Sequence, residues 1–461
     1  MRGHMPIRFD DSLPALARVV LDELGQPALE SGVVVRDVTG RLAFFLAHEI
    51  SQDDVQRISS RVLADVYPYA RTDRTFVNST DFGAAEILND PSAHKVLVGD
   101  YWVRLVDRRL VGADWLRYPS PPAPPPPRFV FASIKGGVGR STALSIAAAD
   151  MASRGRRVLA IDIDMEAPGL GAMLLDEGTL PEFGLVDALV ENGLCPLDDK
   201  FLADLVGPSG LADRRGRIDV IPAFGRRSYR NPGDVLAKIA RAYAEDLRPD
   251  GTVASTLDQV RELVDLFADP RRYDAILVDA RAGLHETTAS AILGLGAEIL
   301  LFGLDEPQTF QGYSVLLAHL ARFSRQPNVS SLEWLERVTM VQGKALSNVE
   351  DRTAFADKCR AMFRDAGLDG PSDVTADVAY PAAPFKDVPW VDDDEVSDAE
   401  LLLDDRLRIP EPIAILDDDR FRHFEPSKRR DLLAEQVYRS SYGTFLDRLD
   451  EAFHTKSEEQ S

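Results

Sequence analysis

The fold of this chain is set by Phe129-Val-Phe-Ala-Ser-Ile-Lys135-Gly-Gly-Val-Gly-Arg-Ser-Thr142, a short apolar run that breaks into glycines and then opens an alanine-rich helix. Three glycines let the backbone curl so that successive N–H groups point inward at an anion. The helix that follows adds the positive end of its dipole. The stretch therefore predicts a strand, a phosphate-binding loop and a helix, with a triphosphate as the ligand that fits.

This loop departs twice from the usual pattern G-x-x-x-x-G-K-[ST]. Ile134 stands where the first glycine would be, and Arg140 stands where the lysine would be. A second cation, Lys135, lies at the start of the loop. A glycine-rich turn between a strand and a helix, with no ligand, is the alternative, and two further segments argue against it.

Both further segments are apolar runs that end in carboxylates. Residues 157–161 lead into Asp162 and Asp164, which point to the same face of an extended chain because they are two residues apart. Residues 273–278 lead into Asp279. Ligands of an open parallel sheet bind at the carboxyl ends of its strands, so the three segments are expected to converge on one triphosphate and its magnesium.

The string from Lys135 to Thr142 resembles the deviant phosphate loop of the MinD/ParA branch of P-loop ATPases, the SIMIBI class, in which K-G-G-x-G-K-[ST] is the rule. The resemblance covers residues 128–345, continues by architecture towards the C-terminus, and does not include the first 118 residues. It implies ATP and Mg²⁺ as ligands and slow hydrolysis of ATP to ADP and phosphate. It also implies a nucleotide-dependent homodimer.

The resemblance also assigns roles to single residues. The backbone of the loop is expected to hold the β-phosphate, Thr142 to lie nearer the α-phosphate, and Lys135 to reach the nucleotide of a partner chain across the dimer. Asp164 is expected to position the attacking water. The residues expected to bind nucleotide are Lys135, Gly136, Gly137, Val138, Gly139, Arg140, Ser141 and Thr142. The expected catalytic residues are Lys135, Arg140 and Asp164, and the expected magnesium ligands are Ser141, Asp162 and Asp279.

Some of these roles have structural alternatives. Asp162 could cap the end of its strand, and Arg281 could be a salt-bridge partner rather than part of the site. The region after Asp279 lacks the pair of prolines common in partitioning ATPases, and no residue is identified that would contact adenine.

Composition limits the classes of partner. The chain has 461 residues, 45% of them hydrophobic, with a formal net charge of −22. Non-specific binding to DNA or to an anionic membrane needs an excess of Lys and Arg, so neither is expected. Cys195 and Cys359 are far apart, which predicts no clustered metal site and a reducing cytoplasm. No stretch is long and apolar enough to predict a membrane span.

Three regions are predicted. Residues 1–118 read as a small α+β domain, with a hairpin at Thr39-Gly40 and a helix capped by Ser51. Residues 119–127 are mostly proline and predict a stiff polyproline II linker on the order of 25 Å long, or a ligand for a proline-recognising domain. Residues 128–461 are predicted to form the ATPase domain with an acidic C-terminal extension.

Strands and helices alternate after residue 128, which predicts a doubly wound, mostly parallel α/β sheet ending in a strand at Ile413–Leu416. Residues 350–430 read as irregular and acidic, and the runs Asp392–Glu395 and Asp417–Asp419 are interpreted as solvated loops rather than metal sites. A closing helix from Lys428 to Phe453 is expected to dock on the sheet or on a partner.

The preferred function is an ATP-driven dimerisation switch that regulates or positions a protein partner. A nucleotide-binding scaffold with little hydrolysis is the alternative, because Arg140 could bind ATP yet stabilise the transition state badly. A DNA-partitioning ATPase is disfavoured by the net acidity. A kinase is disfavoured because the C-terminal region has only Tyr438 and Tyr442.

Overall fold

A computed structural model describes residues 6–212, 215–248, 250–324, 333–368 and 409–458 of the chain. The described residues divide into two compact units, one of residues 6–116 with 322–324 and the other of the described residues from 117 to 321 and from 333 to 458.

The first unit is a mixed sheet with helices packed on it. Its strands are β1 (Val33–Arg36), β2 (Leu42–Phe45), β3 (Phe76–Val77), β4 (His94–Val98) and β5 (Tyr101–Asp107), in the order β3-β2-β1-β5-β4. Its helices are α1 (Phe9–Leu24), α2 (Gln26–Ser31), α3 (Gln52–Asp65) and α4 (Ala84–Leu88). The hairpin is confirmed by the antiparallel pairing of β1 with β2. The cap is confirmed by the Ser51 hydroxyl, which accepts the Asp54 N–H at 3.1 Å.

The second unit is built on an eight-stranded sheet with the order β15-β14-β13-β6-β12-β7-β9-β8. These strands are β6 (Arg128–Ser133), β7 (Arg157–Asp162), β8 (Gly207–Pro208), β9 (Arg217–Ile221), β12 (Ala275–Ala282), β13 (Glu298–Gly303), β14 (Val338–Ala345) and β15 (Ile413–Leu416). A separate hairpin is formed by β10 (Asp246–Leu247) and β11 (Val253–Ala254). The edge strand β8 pairs antiparallel with β9, and the other neighbours pair in parallel. The predicted mostly parallel α/β sheet is confirmed.

The helices of this unit cover the sheet. They are α5 (Arg140–Ser153), α6 (Leu170–Leu174), α7 (Leu185–Asn192), α8 (Asp199–Ala203), α9 (Arg226–Arg230), α10 (Val235–Ala242), α11 (Thr256–Phe267), α12 (Glu286–Ala289), α13 (Pro307–Ser324), α14 (Val349–Asp365) and α15 (Glu435–Glu458). Helix α5 is buried along nearly its whole length because its alanines allow close packing against the sheet and α15. It therefore holds the glycine loop on a rigid support.

The register of the sheet gathers the predicted site at one edge. Strand β6, which leads into the glycine loop, lies between β13 and β12. In β12, Asp279 is level with Asp162 of β7, and Ala282 is level with Ser133, the last residue of β6. The carboxyl ends of β6, β12 and β7 therefore adjoin one another, as expected from the sequence.

Two helices differ from the sequence prediction. Helix α14 occupies residues expected to be irregular; Asn348 caps it by accepting the Asp351 N–H at 2.8 Å, and Phe355 and Phe363 are buried. The closing helix begins at Glu435 rather than Lys428, because Arg430–Leu433 forms a 3₁₀ turn that already buries Leu432. Phe445 and Leu449 of α15 are buried in the core beneath the sheet, so the predicted docking on the sheet is confirmed.

The acidic runs have different outcomes. Asp392–Glu395 lies outside the described residues. Within Asp417–Asp419, Asp418 accepts hydrogen bonds from Arg420 and from the Ser441 hydroxyl, at 2.6 and 2.8 Å. This run therefore makes ion pairs and a link to α15.

The start of the proline segment lies on the second unit. Ser120 N–H donates to Leu293 O at 2.7 Å, and Ala123 N–H donates to Gly296 O at 2.9 Å. Gly296 has a φ of +57°, and a Cβ there would meet Pro121 O at 2.3 Å, so this close approach requires glycine. The role of residues 119–127 as a spacer stays a prediction.

Candidate functional site

The glycine loop forms an open backbone cradle between β6 and α5. Gly137 and Gly139 have φ values of +77° and +92°, in the left-handed region that favours glycine. A Cβ placed on Gly136, Gly137 or Gly139 would meet nothing within 4 Å beyond the adjoining residues. The loop therefore combines a tight curl with free space in front of it, which is the geometry that receives an anion at a helix N-terminus.

Ile134, the first departure from the usual pattern, is explained by packing. Its side chain lies against Gly312 of α13, where an added Cβ would come within 2.4 Å of Ile134 Cγ2. On another side of the loop, Gly343 of β14 approaches so closely that a Cβ would lie 2.2 Å from Val138 O. Two glycines of neighbouring elements thus make room for a loop that carries a branched side chain at its start.

Arg140, the second departure, is turned towards the carboxylates. Its Nε donates to Asp279 Oδ1 at 2.6 Å, its Nη1 donates to Ser133 Oγ at 3.0 Å, and its Nη2 lies 3.6 Å from Asp164 Oδ2. The side chain is only 11% exposed. A planar guanidinium can reach all three groups at once, which a compact ammonium could not do.

Ser141 and Asp279 form the pair that fits a magnesium ion. The Ser141 hydroxyl donates to Asp279 Oδ2 at 2.6 Å, so a hydroxyl and a carboxylate oxygen already adjoin each other beside the cradle. Burial raises the pKa of Asp279, and the Arg140 charge and the Ser141 hydrogen bond act against that rise. Mg²⁺ usually takes one or two protein oxygens together with phosphate and water, so these donors suit it.

Asp162 is held as a cap at the end of β7. Its Oδ1 accepts the Asp164 N–H at 3.1 Å, and its Oδ2 accepts the N–H groups of Gly169 and Leu170 at 3.2 and 3.0 Å. Burial, and then the nearby charge of Asp279, raise the pKa of Asp162 to about 8. These contacts show the alternative capping arrangement, and the predicted magnesium role of Asp162 stays a prediction.

Asp164 and Lys135 have partners within the same chain. Asp164 Oδ1 accepts the Ala167 N–H at 3.1 Å, and its Oδ2 faces Arg140. Lys135 forms an ion pair with Glu306, just after β13, and both side chains are partly exposed. A lysine that reaches a partner's nucleotide would first have to leave Glu306.

Arg281 lies at the end of β12 in a cluster of polar side chains. It forms an ion pair with Glu166, which also accepts the Tyr243 hydroxyl at 2.8 Å and has His285 Nε2 at 3.5 Å from its Oε1. Burial, and then the Arg281 charge, lower the pKa of His285. Burial, and then the hydrogen bond to Glu166, raise the pKa of Tyr243. The sequence analysis noted Arg281 as a salt-bridge partner but missed Glu166, Tyr243 and His285.

A cleft of about 450 Å³ opens on the other side of the loop, at the carboxyl ends of β14 and β15. It is lined by Gly137, Val138, Gly139, Thr142, Gly343, Lys344, Ile415, Leu416, Asp417, Asp418, Phe421, Arg422, His423 and Tyr442. Lys344 and His423 have positive φ, of 51° and 57°, which is uncommon outside glycine and clusters at functional sites. Except for the loop residues and Thr142, sequence reasoning missed this lining. The glycine at the end of the β14 strand was the available signal.

One part of the chain is similar to a family of known proteins. Residues 129–339 match the family model described as the CobQ/CobB/MinD/ParA nucleotide binding domain. A search of curated proteins found no match.

Solved structures of this kind overlap with the chain at low identity. The cell division ATPase MinD of Pyrococcus furiosus is 16% identical, with 71% of this chain and 99% of that chain covered and a TM-score of 0.39. A ParA family ATPase from Chlorobium tepidum is 20% identical, with 52% and 81% covered and a TM-score of 0.33. Cobyrinic acid a,c-diamide synthase from Mycobacterium smegmatis, with bound ADP and magnesium, is 15% identical, with 51% and 82% covered and a TM-score of 0.34.

Two kinds of feature are absent from the part of the chain that the structure describes. Within the described ranges, no helix has the length and apolar character needed to cross a membrane. In the same residues, no three His, Cys, Asp or Glu side chains form a group that could hold a metal by themselves. A magnesium ion at Ser141 and Asp279 would not need such a group, because phosphate and water could supply its other ligands.

Proposed function

We propose, from the premise that residues 129–339 form a MinD/ParA-like P-loop nucleotide-binding domain, that this chain is an ATP-driven molecular switch. It binds ATP with magnesium, closes into a homodimer, hydrolyses ATP slowly and, in one of these states, engages a protein partner. The observation that carries the proposal is the Ser141–Asp279 hydrogen bond of 2.6 Å beside an open cradle of backbone N–H groups.

The loop and the cleft bind different parts of the nucleotide. Backbone N–H groups of residues 136–141 hold the β-phosphate, and Thr142, at the border of the cleft, adjoins the α-phosphate. The cleft takes the nucleoside, because Phe421 and Tyr442 offer aromatic surface to a base and Asp417 offers a hydrogen-bond acceptor. A volume of about 450 Å³ is within the range of small-molecule sites.

Hydrolysis requires that water be placed and charge be neutralised. A bound magnesium ion would be held by Ser141 and Asp279, with Asp162 behind them, and would supply positive charge to the phosphates. Asp164 orients the attacking water, and Arg140 turns from the carboxylates to the phosphates. Lys135 leaves Glu306 to reach the partner's nucleotide, which is a small cost because exposed ion pairs contribute about 0–1 kcal/mol.

A second candidate, a scaffold that binds ATP and hydrolyses almost none, is favoured by the contacts of Arg140. Its guanidinium lies 3.6 Å from Asp164 Oδ2, so it occupies the carboxylate that would orient water. If Arg140 keeps that contact after ATP binds, the chain holds nucleotide without efficient catalysis. The partner would then respond to whether ATP is bound and not to whether it is hydrolysed.

Turnover of the full chain, with Asp164→Ala beside it, separates the two candidates. A switch is expected to lose about 100-fold in ATP turnover on this substitution while keeping its ATP affinity, because Asp164 acts on water and not on nucleotide. Asp269→Ala is the matched control, since Asp269 forms an exposed ion pair with Arg271. Equal turnover of the wild type and Asp164→Ala would favour the scaffold, and no binding of ATP by the wild type would overturn both.

The partner is expected to be a protein rather than DNA. A chain with a net charge of −22 repels the phosphate backbone, and a basic surface is the main source of non-specific DNA affinity. Mobility-shift titration with random-sequence DNA, in the presence of ATP and magnesium, is expected to show no binding at physiological salt. Binding under those conditions would make DNA partitioning the better interpretation.

A further inference from the structure

We propose that Arg281 senses the terminal phosphate of a nucleoside triphosphate, and that Glu166 holds Arg281 back when that phosphate is absent. The inference rests on the proposed function, and it assigns the step by which the site distinguishes a triphosphate from a diphosphate. Arg281 lies at the end of β12, and Glu166 lies in the turn after β7. A ligand bound in front of these two strands can therefore break the ion pair between them.

The first observation is where the cluster lies relative to the loop. Arg281 comes two residues after Asp279, and its neighbour Ala282 is level with Ser133. The next residue, Gly283, donates its N–H to Ser133 O at 2.8 Å. The backbone that carries Arg281 is therefore bonded to the last residue before the glycine loop, and Thr288 Oγ1 fixes it further by donating to Arg281 O at 3.1 Å.

Glu166 is placed by the neighbouring strand. It follows Asp164 by two residues, in the turn that Asp162 and Asp164 hold by accepting backbone N–H groups. Glu166 accepts from Arg281 and from the Tyr243 hydroxyl, so one carboxylate joins the end of β12 to the end of α10. His285 Nε2 lies 3.5 Å from Glu166 Oε1, so the residue just before α12 also adjoins this carboxylate.

Charge decides which group holds Arg281. Glu166 offers one negative charge, and its other neighbour, His285, is neutral near pH 7 because burial and the Arg281 charge lower its pKa. Arg281 is thus the main cation for Glu166. The terminal phosphate of ATP brings about two charges and three oxygens, which suit the planar donors of arginine better than one carboxylate does.

Exposure makes the exchange feasible. The Arg281 and Glu166 side chains are 29% and 30% exposed, so water already reaches the ion pair and its loss costs little. A diphosphate bound in the cradle would leave Arg281 on Glu166. A triphosphate would draw Arg281 away and leave Glu166 with the Tyr243 hydroxyl and His285, so the ion pair that links the end of β12 through Glu166 to α10 would be lost. Helix α10 carries Leu236, which is 79% exposed and available to a partner.

The test compares two nucleotides on the full chain by calorimetry with magnesium present: ADP and AMPPNP, a triphosphate analogue that resists hydrolysis. Arg281→Ala is expected to weaken AMPPNP binding at least about tenfold, the effect of one lost charge-assisted hydrogen bond. Its ADP affinity is expected to stay within about twofold of wild type. Glu166→Gln keeps the shape but removes the competing charge, so it is expected to strengthen AMPPNP binding several-fold and leave ADP binding unchanged.

Matched controls carry the same charge changes elsewhere. Arg271→Ala removes an exposed arginine paired with Asp269, and Glu262→Gln removes a carboxylate paired with Arg248. Neither is expected to change the ratio of AMPPNP to ADP affinity. Thermal unfolding of each variant checks that it is folded, and Glu166→Gln tests the proposal by itself if Arg281→Ala does not fold.

The outcomes are distinct. Opposite effects of the two substitutions on AMPPNP binding support the proposal. Equal weakening of both nucleotides by both variants overturns it, because that is the result of a static ion pair that only holds the turns together. Wild-type protein that binds neither nucleotide overturns the proposed function and this inference with it, whereas wild-type binding with an unchanged Arg281→Ala ratio overturns the inference alone.

Discussion

At the scale of single residues, the arginine at position 140 ties together the polar side chains beside the glycine loop. It contacts Asp279, Ser133 and Asp164, and its single positive charge offsets part of the repulsion between the two buried carboxylates. An ammonium at this position would be a point charge with one best partner. Arg140 therefore stabilises these two carboxylates, and the same contacts oppose the proposed use of Asp164 in hydrolysis.

Arg140→Lys is expected to raise ATP turnover several-fold, because lysine would release the contact with Asp164 and leave that carboxylate free to orient water. ATP affinity is expected to fall by less than about tenfold, since the charge is kept and one guanidinium hydrogen bond is lost. Phosphate release under saturating ATP measures the first quantity, and calorimetry measures the second. The matched control is Arg154→Lys at the other end of α5, where Arg154 pairs with Asp150 and Asp450. A fall in turnover with Arg140→Lys would show instead that the guanidinium serves the transition state.

The packing of Ile134 against Gly312 gives a second prediction at this scale. Gly312→Ala is expected to destabilise the chain by about 1–2 kcal/mol, because a Cβ would lie 2.4 Å from Ile134 Cγ2. In an Ile134→Gly background the clash is absent, and the same change is expected to stabilise α13 by up to about 1 kcal/mol through helix propensity. Urea unfolding at equilibrium measures both effects.

Gly443→Ala in α15, where a Cβ meets nothing within 4 Å, is the control that should stabilise in either background. Effects of Gly312→Ala with the same sign in both backgrounds would rule out the proposed contact.

The sequence predicted the residues of the loop well because their role depends on local backbone shape. Gly137 and Gly139 by themselves predict a turn with positive φ, and Ser141 follows at the start of the helix. The partners of these residues are different: Glu306, which holds Lys135, lies 171 positions away in the sequence. Tyr243 meets Glu166 across 77 positions, so no spacing rule could predict it.

At the scale of elements, Asp418 ties the turn after β15 to the closing helix. It accepts from Arg420 Nη2 at 2.6 Å and from the Ser441 hydroxyl of α15 at 2.8 Å. Arg420 also donates to Ser440 Oγ at 3.0 Å. These bonds, the Arg420 bond first, lower the pKa of Asp418 to about 2. The Asp418 carboxylate therefore helps to fix both one wall of the cleft and the position of α15.

The sign of the resulting pH dependence follows from the lowered pKa. A carboxyl whose pKa is lower in the folded chain contributes stability above its unfolded pKa of about 4, and this contribution is lost as the pH falls towards about 2. Asp418→Asn is therefore expected to cost about 1–2 kcal/mol at pH 7, a range that allows for the half-exposed Arg420, and almost nothing below about pH 2. Urea unfolding at a series of pH values measures the difference. Asp419→Asn, at a more exposed side chain, should cost little at any pH. A penalty for Asp418→Asn that persists at low pH would show that shape, not charge, holds the turn.

Elements were predictable where their burial is periodic and missed where it is not. The main strands of the sheet are continuous apolar runs, and the runs at β6, β7, β12, β13, β14 and β15 all form strands. Helix α14 buries few side chains among many charged ones, so its sequence resembles an acidic loop. The early start predicted for α15 has a similar cause, because Leu432 is buried in a 3₁₀ turn rather than in the helix.

At the scale of the whole molecule, the net charge works against the proposed dimer. Each chain carries a formal charge of −22, so two chains repel each other over distances comparable with the Debye length, about 10 Å at 0.1 M salt. Nucleotide binding adds further negative charge to both copies. Closure must therefore gain its free energy from local contacts, such as Lys135 of each chain on the nucleotide of the other.

This balance predicts an unusual salt dependence. With AMPPNP and magnesium, light scattering after gel filtration is expected to give twice the 50.8 kDa of one chain. The dissociation constant of the dimer is expected to fall as NaCl rises from about 50 to about 300 mM, because screening removes the mutual repulsion. Binding to DNA would show the opposite slope, since it releases counterions from the backbone.

Lys135→Ala is expected to bind AMPPNP and stay monomeric at every salt concentration. A wild type that binds AMPPNP but keeps the mass of one chain would contradict the dimer. A dimer weakened by salt would place ion pairs between the two chains, rather than net charge, in control of closure.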